Sequence, residues 1–192
     1  MQSEYGNIKT SEELLDFMNN NFSYGYLGSD SKIHYPSDPD FDSLWFKTYV
    51  LQGNEDLLKS KVGNCFDAVE FERAWFKKHN YEFITIFEMV KLDYQNNYPM
   101  HAFLVYKSDN KWHYFEWADG SNQGIFSFTS LFDAVAYQYK HYLGVLDNLN
   151  VKSEEKNKVI RYVYDKLATR CNAVEYLKFV VKGKVLESGE LE

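Results

Sequence analysis

Residues 62–70 read VGNCFDAVE, and this segment decides the fold because it joins a short turn to a long amphipathic helix. Gly63 and Asn64 are residues that favour tight turns, and Cys65 follows them directly. Beyond Cys65, apolar side chains recur every three to four residues, which predicts a helix over 65–78. Acidic residues near the start of this helix and basic residues near its end suit the helix dipole. The sequence therefore predicts a thiol in the first turn of a helix.

The position of Cys65 leaves two interpretations open. A thiol at a helix N-terminus lies near the positive end of the dipole and loses its proton more easily. The carboxylate of Asp67 opposes this effect, so an activated Cys65 would need a cation nearby. The alternative is a buried thiol that packs like a small apolar side chain. The other cysteine, Cys171, lacks a preceding glycine turn and a following histidine, and we interpret it as a core thiol.

Length, charge and cysteine content exclude several classes of protein. The chain of 192 residues is long enough to bury one sizeable core, and one domain is expected. Its net charge of −7 argues against a nucleic-acid partner, which requires a basic surface. No apolar run approaches the roughly 20 residues of a membrane span, and the N-terminus lacks the features of a signal peptide. Two cysteines are too few for a disulfide framework, so we predict a cytoplasmic protein with reduced thiols and no membrane partner.

Periodicity and turn residues divide the rest of the chain into helices, strands and loops. The predicted helices cover residues 11–20, 130–142 and 172–181. The predicted strands cover residues 81–90, 100–106, 112–117, 124–128 and 158–164. The long segment 22–43 is rich in Gly, Ser, Asp, Pro and Tyr, which is typical of a functional loop. Residues 93–97 predict a polar loop, and residues 186–192 a loose tail.

Two of the predicted strands form a hairpin that pairs a histidine with a carboxylate. If the loop of this hairpin covers residues 107–110, His101 faces Glu116 and Val105 faces Trp112. Side chains that face each other directly lie on the same side of a sheet, with Cβ atoms about 5 Å apart. Glu116 would then orient His101 as the base for Cys65. A slip of one residue would separate the pair, and Asp119, in the next loop, is an alternative carboxylate.

Three segments together resemble the motifs of the transglutaminase-like (papain-like) cysteine enzymes. Residues 61–67, KVGNCFD, are similar to the nucleophile motif of that superfamily. Residues 101–105, HAFLV, resemble its histidine motif, and residues 111–116, KWHYFE, resemble its third motif. The resemblance covers residues 53–120. One departure is Glu116, which stands where the superfamily usually has an aspartate.

The resemblance implies a fold, a reaction and a division of the chain. The implied fold is α+β, a papain-like/transglutaminase-like core in which the nucleophile helix packs on an antiparallel β-sheet. The catalytic domain would cover residues 1–150 with an N-terminal helical arm, and residues 151–192 would form a small C-terminal extension packed on the same domain. The implied reaction is hydrolysis or acyl transfer on a peptide, protein or small amide, through a thioester and a triad of Cys65, His101 and Glu116. It uses neither a cofactor nor a metal.

Oxyanion donors are the last component that such a reaction requires. The backbone N–H of Cys65 is one candidate, and the side chains of Gln52 and Trp45 are two others. Aromatic residues make up 18% of the chain, which predicts aromatic-rich strands. The candidates to line a substrate cleft are Tyr24, Tyr26 and Trp117, and the alternative for each is packing in the core.

Two other classes of function stay open. A binding or scaffolding module would keep the same fold without turnover, and the acidic Asp67 and the unusual Glu116 favour it. A metal site built on Cys65, His101 and a second histidine lacks the short ligand pairs typical of zinc sites. The sequence predicts that His34, His79 and His141 are solvated rather than functional.

Overall fold

A six-stranded antiparallel sheet forms the centre of the computed structural model, which describes residues 5–91, 98–167 and 170–186. The strands in chain order are β1 (Ser23–Tyr24), β2 (Tyr26–Leu27), β3 (Ile33–His34), β4 (Val62–Gly63), β5 (Glu82–Val90), β6 (His101–Ser108), β7 (Lys111–Glu116), β8 (Gly124–Phe128), β9 (Val159–Val163) and β10 (Lys184–Val185). The order in the large sheet is β10-β9-β5-β6-β7-β8, and all its neighbours are antiparallel. The predicted α+β class with an antiparallel sheet is confirmed.

Seven helices lie in the described part of the chain. They are α1 (Ser11–Asn21), α2 (Phe41–Thr48), α3 (Asn54–Ser60), α4 (Cys65–Lys78), α5 (Leu131–Asn148), α6 (Ser153–Lys156) and α7 (Ala173–Val180). The predicted helix over 65–78 is confirmed as α4, and α5 continues six residues beyond the predicted end at Tyr142. Leu146, fully buried in this extra part, packs in a small apolar cluster and explains the extension. None of these helices is both long and apolar enough to cross a bilayer.

The sheet has an apolar core on each face. On one face α4 contributes Phe71, Trp75 and Phe76, which pack with Leu104 and Phe115 of the sheet. Burial of each large apolar side chain contributes roughly 1.5–3 kcal/mol to stability. On the opposite face, α5 covers a second apolar cluster. Its buried members are Ile86, Phe103, Val105, Tyr114, Ala134, Val135 and Leu186. Because side chains alternate along a strand, Phe103 and Val105 of β6 face α5, whereas Leu104 and Tyr106 face α4.

The predicted register of the β6–β7 hairpin is wrong by two residues. Val105 pairs with Tyr114 rather than with Trp112. The cause is the turn, which consists of Asp109 and Asn110 alone, with φ angles of 51° and 59°. Two consecutive residues with positive φ are typical of the tight type I′ turn, and Asp and Asn tolerate this conformation. A shift of two preserves the face of every side chain, so Glu116 stays on the same side of the sheet as His101.

The segments outside the hairpin also join the central structure. β1 pairs in parallel with β4, which ties the long segment 22–43 to the turn before Cys65. Most of that segment has turns and short elements rather than one regular structure, and α2 begins at its end. β9 pairs with the central strand β5, so the C-terminal part of the chain extends the sheet. The predicted loop at 93–97 and the tail after Leu186 lie outside the described residues.

Candidate active site

A capping box fixes the first turn of α4 and with it Cys65. The side chain of Asn64 accepts hydrogen bonds from the N–H groups of Phe66 (2.9 Å) and Asp67 (3.3 Å). Asp67 in return accepts from the N–H of Asn64 at 3.1 Å. A Cβ on Gly63 would lie 2.8 Å from a side-chain carbon of Leu57 and 3.0 Å from the Cβ of Asp67, so a larger residue before the cap would require these side chains to shift. Both requirements are local, which is why the sequence alone indicated a turn here.

Asp67 is buried and holds two segments together behind the nucleophile turn. Its carboxylate accepts from the N–H of Gln52 at 2.9 Å and from the hydroxyl of Tyr49 at 3.3 Å. Burial raises the pKa of Asp67 to about 7, although these hydrogen bonds oppose the shift. Near neutral pH this carboxyl is therefore neutral in a large fraction of the molecules. The opposition to thiol activation expected from Asp67 is correspondingly weaker.

His101 opens β6 beside the thiol of Cys65. The thiol of Cys65 is a close neighbour of the imidazole, and the Nε2 atom of His101 lies 2.7 Å from a carboxylate oxygen of Glu116. Since Nε2 faces Glu116, Nδ1 is the ring nitrogen left for the thiol. Burial alone lowers the pKa of His101, but the charge and hydrogen bond of Glu116 and the neighbouring thiol of Cys65 raise it well above the ordinary value. The imidazole of His101 therefore holds its proton more strongly than an ordinary histidine does.

The carboxylate of Glu116 accepts four hydrogen bonds. One oxygen accepts from His101 and from the hydroxyl of Tyr114 at 2.6 Å. The other accepts from the backbone N–H groups of Ala118 at 2.6 Å and Asp119 at 2.8 Å. The observed register makes Glu116 a diagonal neighbour of His101, at a Cβ separation of about 7 Å. The side chain of glutamate, one methylene longer than that of aspartate, spans this distance, which gives a physical reason for glutamate at this position.

Asp119, the alternative partner of His101, binds a different histidine. Its carboxylate lies 2.7 Å from Nε2 of His141 on α5. It also accepts hydrogen bonds from the N–H and hydroxyl of Ser121. The prediction that His141 is solvated is therefore wrong, because this side chain is only 24% exposed and paired. A signal was present in the sequence, since His141 lies one helical turn after Gln138 on the apolar stripe of the predicted helix.

Cys65 and His101 lie where two parts of one cleft meet. The part that we name the aromatic arm has a volume of about 330 Å³ and includes Cys65 in its wall. Its apolar wall comprises Phe41, Trp45, Phe46, Phe66, Met100 and Leu149. The second part, the polar arm, has a volume of about 270 Å³ and includes His101. Its polar wall comprises Asp119, Gln138, His141 and Tyr142.

Tyr24 stands between the two arms and lines both. Its backbone is held because Tyr24 pairs with Gly63, and the N–H of Gly25 donates to the carbonyl of Gly63 at 3.0 Å. Tyr24 as a whole is 40% exposed, but the protein atoms around its hydroxyl, followed by the charges of Cys65 and Glu116, raise the pKa of Tyr24 well above its ordinary value. The hydroxyl therefore stays protonated and can donate a hydrogen bond into the cleft. Tyr26 and Trp117, the other predicted lining residues, are buried in the core.

The two predicted oxyanion donors lie in different places. Trp45 lines the aromatic arm beside Cys65 and stacks on Tyr49. Gln52 lies behind the nucleophile turn, where its amide donates to the carbonyl of Val62 at 2.7 Å and its oxygen accepts from Ser60. The role that these contacts indicate for Gln52 is to hold the turn rather than to reach a substrate.

A buried polar chain runs behind His101. Glu88 on β5 is directly opposite His101 and accepts a hydrogen bond from Gln138 at 2.8 Å. Gln138 in turn accepts from Asn122 at 3.1 Å, which connects α5 to the loop after Glu116. Glu88 is fully buried, and burial raises its pKa to about 7. Nothing in the sequence of β5 distinguishes Glu88 from a surface residue, because only the pairing with β6 shows which group it faces.

Within the described ranges, no three side chains of the His, Cys, Asp and Glu types are grouped so that they could hold a metal ion. Neither a protein-family model nor a curated protein matches the chain.

Proposed function

We propose that this protein is a thiol-dependent hydrolase or acyltransferase that acts on a peptide or amide bond. The single observation that carries the proposal is the contact chain from Cys65 through His101 to Glu116 at the junction of the two arms. The resemblance of three segments to the transglutaminase-like (papain-like) enzymes supports the proposal further. The proposal includes the core fold of those enzymes. Cys65 is the nucleophile, His101 the base and then the acid, and Glu116 the group that orients His101.

The first half of the reaction forms a thioester. The thiolate of Cys65 attacks the carbonyl carbon, a C–S bond forms, and the carbonyl electron pair moves to oxygen. Collapse of this intermediate breaks the C–N bond, and the imidazolium of His101 gives its proton to the departing nitrogen. In the second half, water or an amine attacks the thioester carbon, the C–S bond breaks, and His101 takes the proton of the attacking group. The Cys65–His101 pair then has its starting protonation.

The cleft suggests which part of the substrate lies where. The apolar wall beside the sulfur suits the acyl part of a substrate, in particular one with an aromatic or branched side chain. The imidazole faces the polar arm, which suits the departing or entering nitrogen. Two donors serve the oxyanion: the backbone N–H of Cys65, which is one of the unpaired groups of a helix start, and the hydroxyl of Tyr24.

The test is acylation and alkylation of the two thiols. The 4-nitrophenyl ester of 3-phenylpropanoic acid should acylate Cys65, seen as a mass increase that Cys65→Ala abolishes. Iodoacetamide should label Cys65 at least tenfold faster than Cys171, because burial raises the pKa of Cys171 to about 11. His101→Ala should slow the labelling of Cys65 by about 100-fold or more.

The control for this test is His113→Ala. His113 lies on the opposite face of the sheet, stacked on Tyr106, and its removal should leave the labelling of Cys65 within about threefold of wild type. Equal labelling of both thiols in the native protein, together with no acyl adduct at Cys65, would overturn the proposed function. A binding module without turnover would then be the better interpretation.

A further inference from the structure

The second histidine–carboxylate pair has the same contact distance as the first. Nε2 of His141 lies 2.7 Å from one oxygen of Asp119. The other oxygen of Asp119 accepts from the N–H of Ser121 at 2.9 Å and from its hydroxyl at 2.6 Å. The carboxylate thus has a fixed direction, and it leaves Nδ1 of His141 as the ring nitrogen that can exchange a proton with a ligand.

The pair lies in the polar arm, next to the proposed catalytic centre. His141 and Asp119 line the arm together with His101. The N–H of Asp119 donates to the carboxylate of Glu116 at 2.8 Å, so the loop after Glu116 links the two pairs directly. Burial raises the pKa of Asp119, but the hydrogen bonds from Ser121 and His141 outweigh it, and the net pKa is lowered. Asp119 is therefore an anion at neutral pH.

The proton count of acyl transfer shows what a second base would do. An alkylamine reaches the enzyme as an ammonium ion, and it must lose two protons to become an amide nitrogen. The Cys65–His101 pair takes one of them when the thiolate leaves. Water carries no positive charge and needs no second base before it attacks. An entering ammonium ion therefore needs one more proton acceptor than an entering water molecule.

We propose that His141, held by Asp119, is a second acid–base residue that accepts the extra proton of a cationic amine in the polar arm. Asp119 attracts the ammonium group, and Nδ1 of His141 takes one proton as the nitrogen attacks the thioester. The C–N bond forms and the C–S bond breaks. The second proton goes to the Cys65–His101 pair, and His141 releases the first to solvent. This inference rests on the proposed function, since it requires a thioester at Cys65.

The experiment compares two amines on the same acyl-enzyme. The 4-nitrophenyl ester of 3-phenylpropanoic acid loads Cys65, and mass spectrometry measures the ratio of amide or hydroxamate product to free acid. 1,5-Diaminopentane is a cation near neutral pH, whereas hydroxylamine is mostly neutral there. Because the ratio is taken from one common acyl-enzyme, a change in the rate of acylation does not affect it.

We expect His141→Ala to lower the ratio for diaminopentane by about tenfold or more and to leave the ratio for hydroxylamine within about twofold. His141→Gln keeps a donor for Asp119 but has no base, so it should behave like His141→Ala and serves if the alanine variant does not fold. His79→Ala is the control, because His79 caps the far end of α4 and stacks on Trp75.

Each other outcome contradicts a defined part of the proposal. An equal fall for both amines would mean that His141 only shapes the arm, and an unchanged ratio for diaminopentane would mean that it has no role there. Either result overturns the inference while the acyl adduct at Cys65 still supports the proposed function. If the wild-type protein forms no acyl adduct at Cys65, the proposed function itself fails and the inference fails with it.

Discussion

The two histidine–carboxylate pairs have the same contact distance and different surroundings. In both, Nε2 lies 2.7 Å from a carboxylate oxygen. The side chains of His101 and Glu116 are 13% and 3% exposed, whereas those of His141 and Asp119 are both 24% exposed. His101 also lies beside the thiol of Cys65. A histidine–carboxylate pair by itself therefore does not define a role, because the groups around the pair decide which proton it can move.

The carboxylates of the two pairs are held in different ways. Glu116 receives two backbone donors and a buried tyrosine hydroxyl in addition to His101. Asp119 receives the backbone and the hydroxyl of Ser121, a residue exposed to solvent. Hydrogen bonds are stronger where water is excluded. The first pair should therefore be the more rigid, and the second the more accessible to an entering group.

The largest expected effect comes from shortening the carboxylate side chain of the first pair, Glu116. Glu116→Asp should slow the acylation of Cys65 by about 100-fold, because aspartate cannot span the diagonal to His101 in the observed register. The rate of acylation by the 4-nitrophenyl ester of 3-phenylpropanoic acid measures the effect. Glu82→Asp is the matched control, since Glu82 is an exposed carboxylate paired with Lys107. A Glu116→Asp protein with the wild-type rate would show that the contact with His101 is unnecessary.

A smaller effect is expected at Tyr24, which separates the two arms. Tyr24→Phe removes one proposed oxyanion donor and keeps the ring, so we expect acylation to fall about tenfold. The rate of labelling by iodoacetamide should change less than threefold, because alkylation forms no oxyanion. Comparison of these two rates measures the effect. An equal loss in both would indicate that Tyr24 positions Cys65 instead of stabilising the intermediate.

The smallest expected effect concerns Glu88, which lies opposite His101 and is bonded to Gln138 on the helix of His141. Its pKa of about 7 lies above the ordinary value because of burial. The folded protein therefore keeps a proton that the unfolded chain has released, and stability falls as pH rises from about 4.5 through about 7 and levels off above that. The Glu88→Gln variant lacks this titration, so its free energy of unfolding should decline less.

Urea unfolding at two pH values tests this prediction. Between pH 5 and pH 8, the free energy of unfolding of Glu88→Gln should rise by about 1 kcal/mol or more relative to that of the wild type. Asp16→Asn is a suitable control, because Asp16 is an exposed residue of α1. A difference between Glu88→Gln and wild type that is the same at both pH values would contradict the assigned titration.

Much of the site was predictable because it depends on local sequence. The turn at Gly63 and Asn64, the start of α4 at Cys65 and the alternation along β6 and β7 follow from short-range rules. The alternation of side chains along each strand was enough to place His101 and Glu116 on one face, even though the predicted register was wrong by two residues. The register depended on the turn, where the sequence permitted either a four-residue loop or the two-residue turn of Asp109 and Asn110.

The sequence by itself determined which residues could carry chemistry and on which elements they lie. The tertiary structure decided which of them meet: that Glu116 and not Asp119 reaches His101, that Asp119 binds His141, and that Glu88 lies opposite His101. The physical reason is that capping, turn preference and side-chain alternation act over a few residues of chain. Contacts between elements depend on register and packing, which many distant residues fix together.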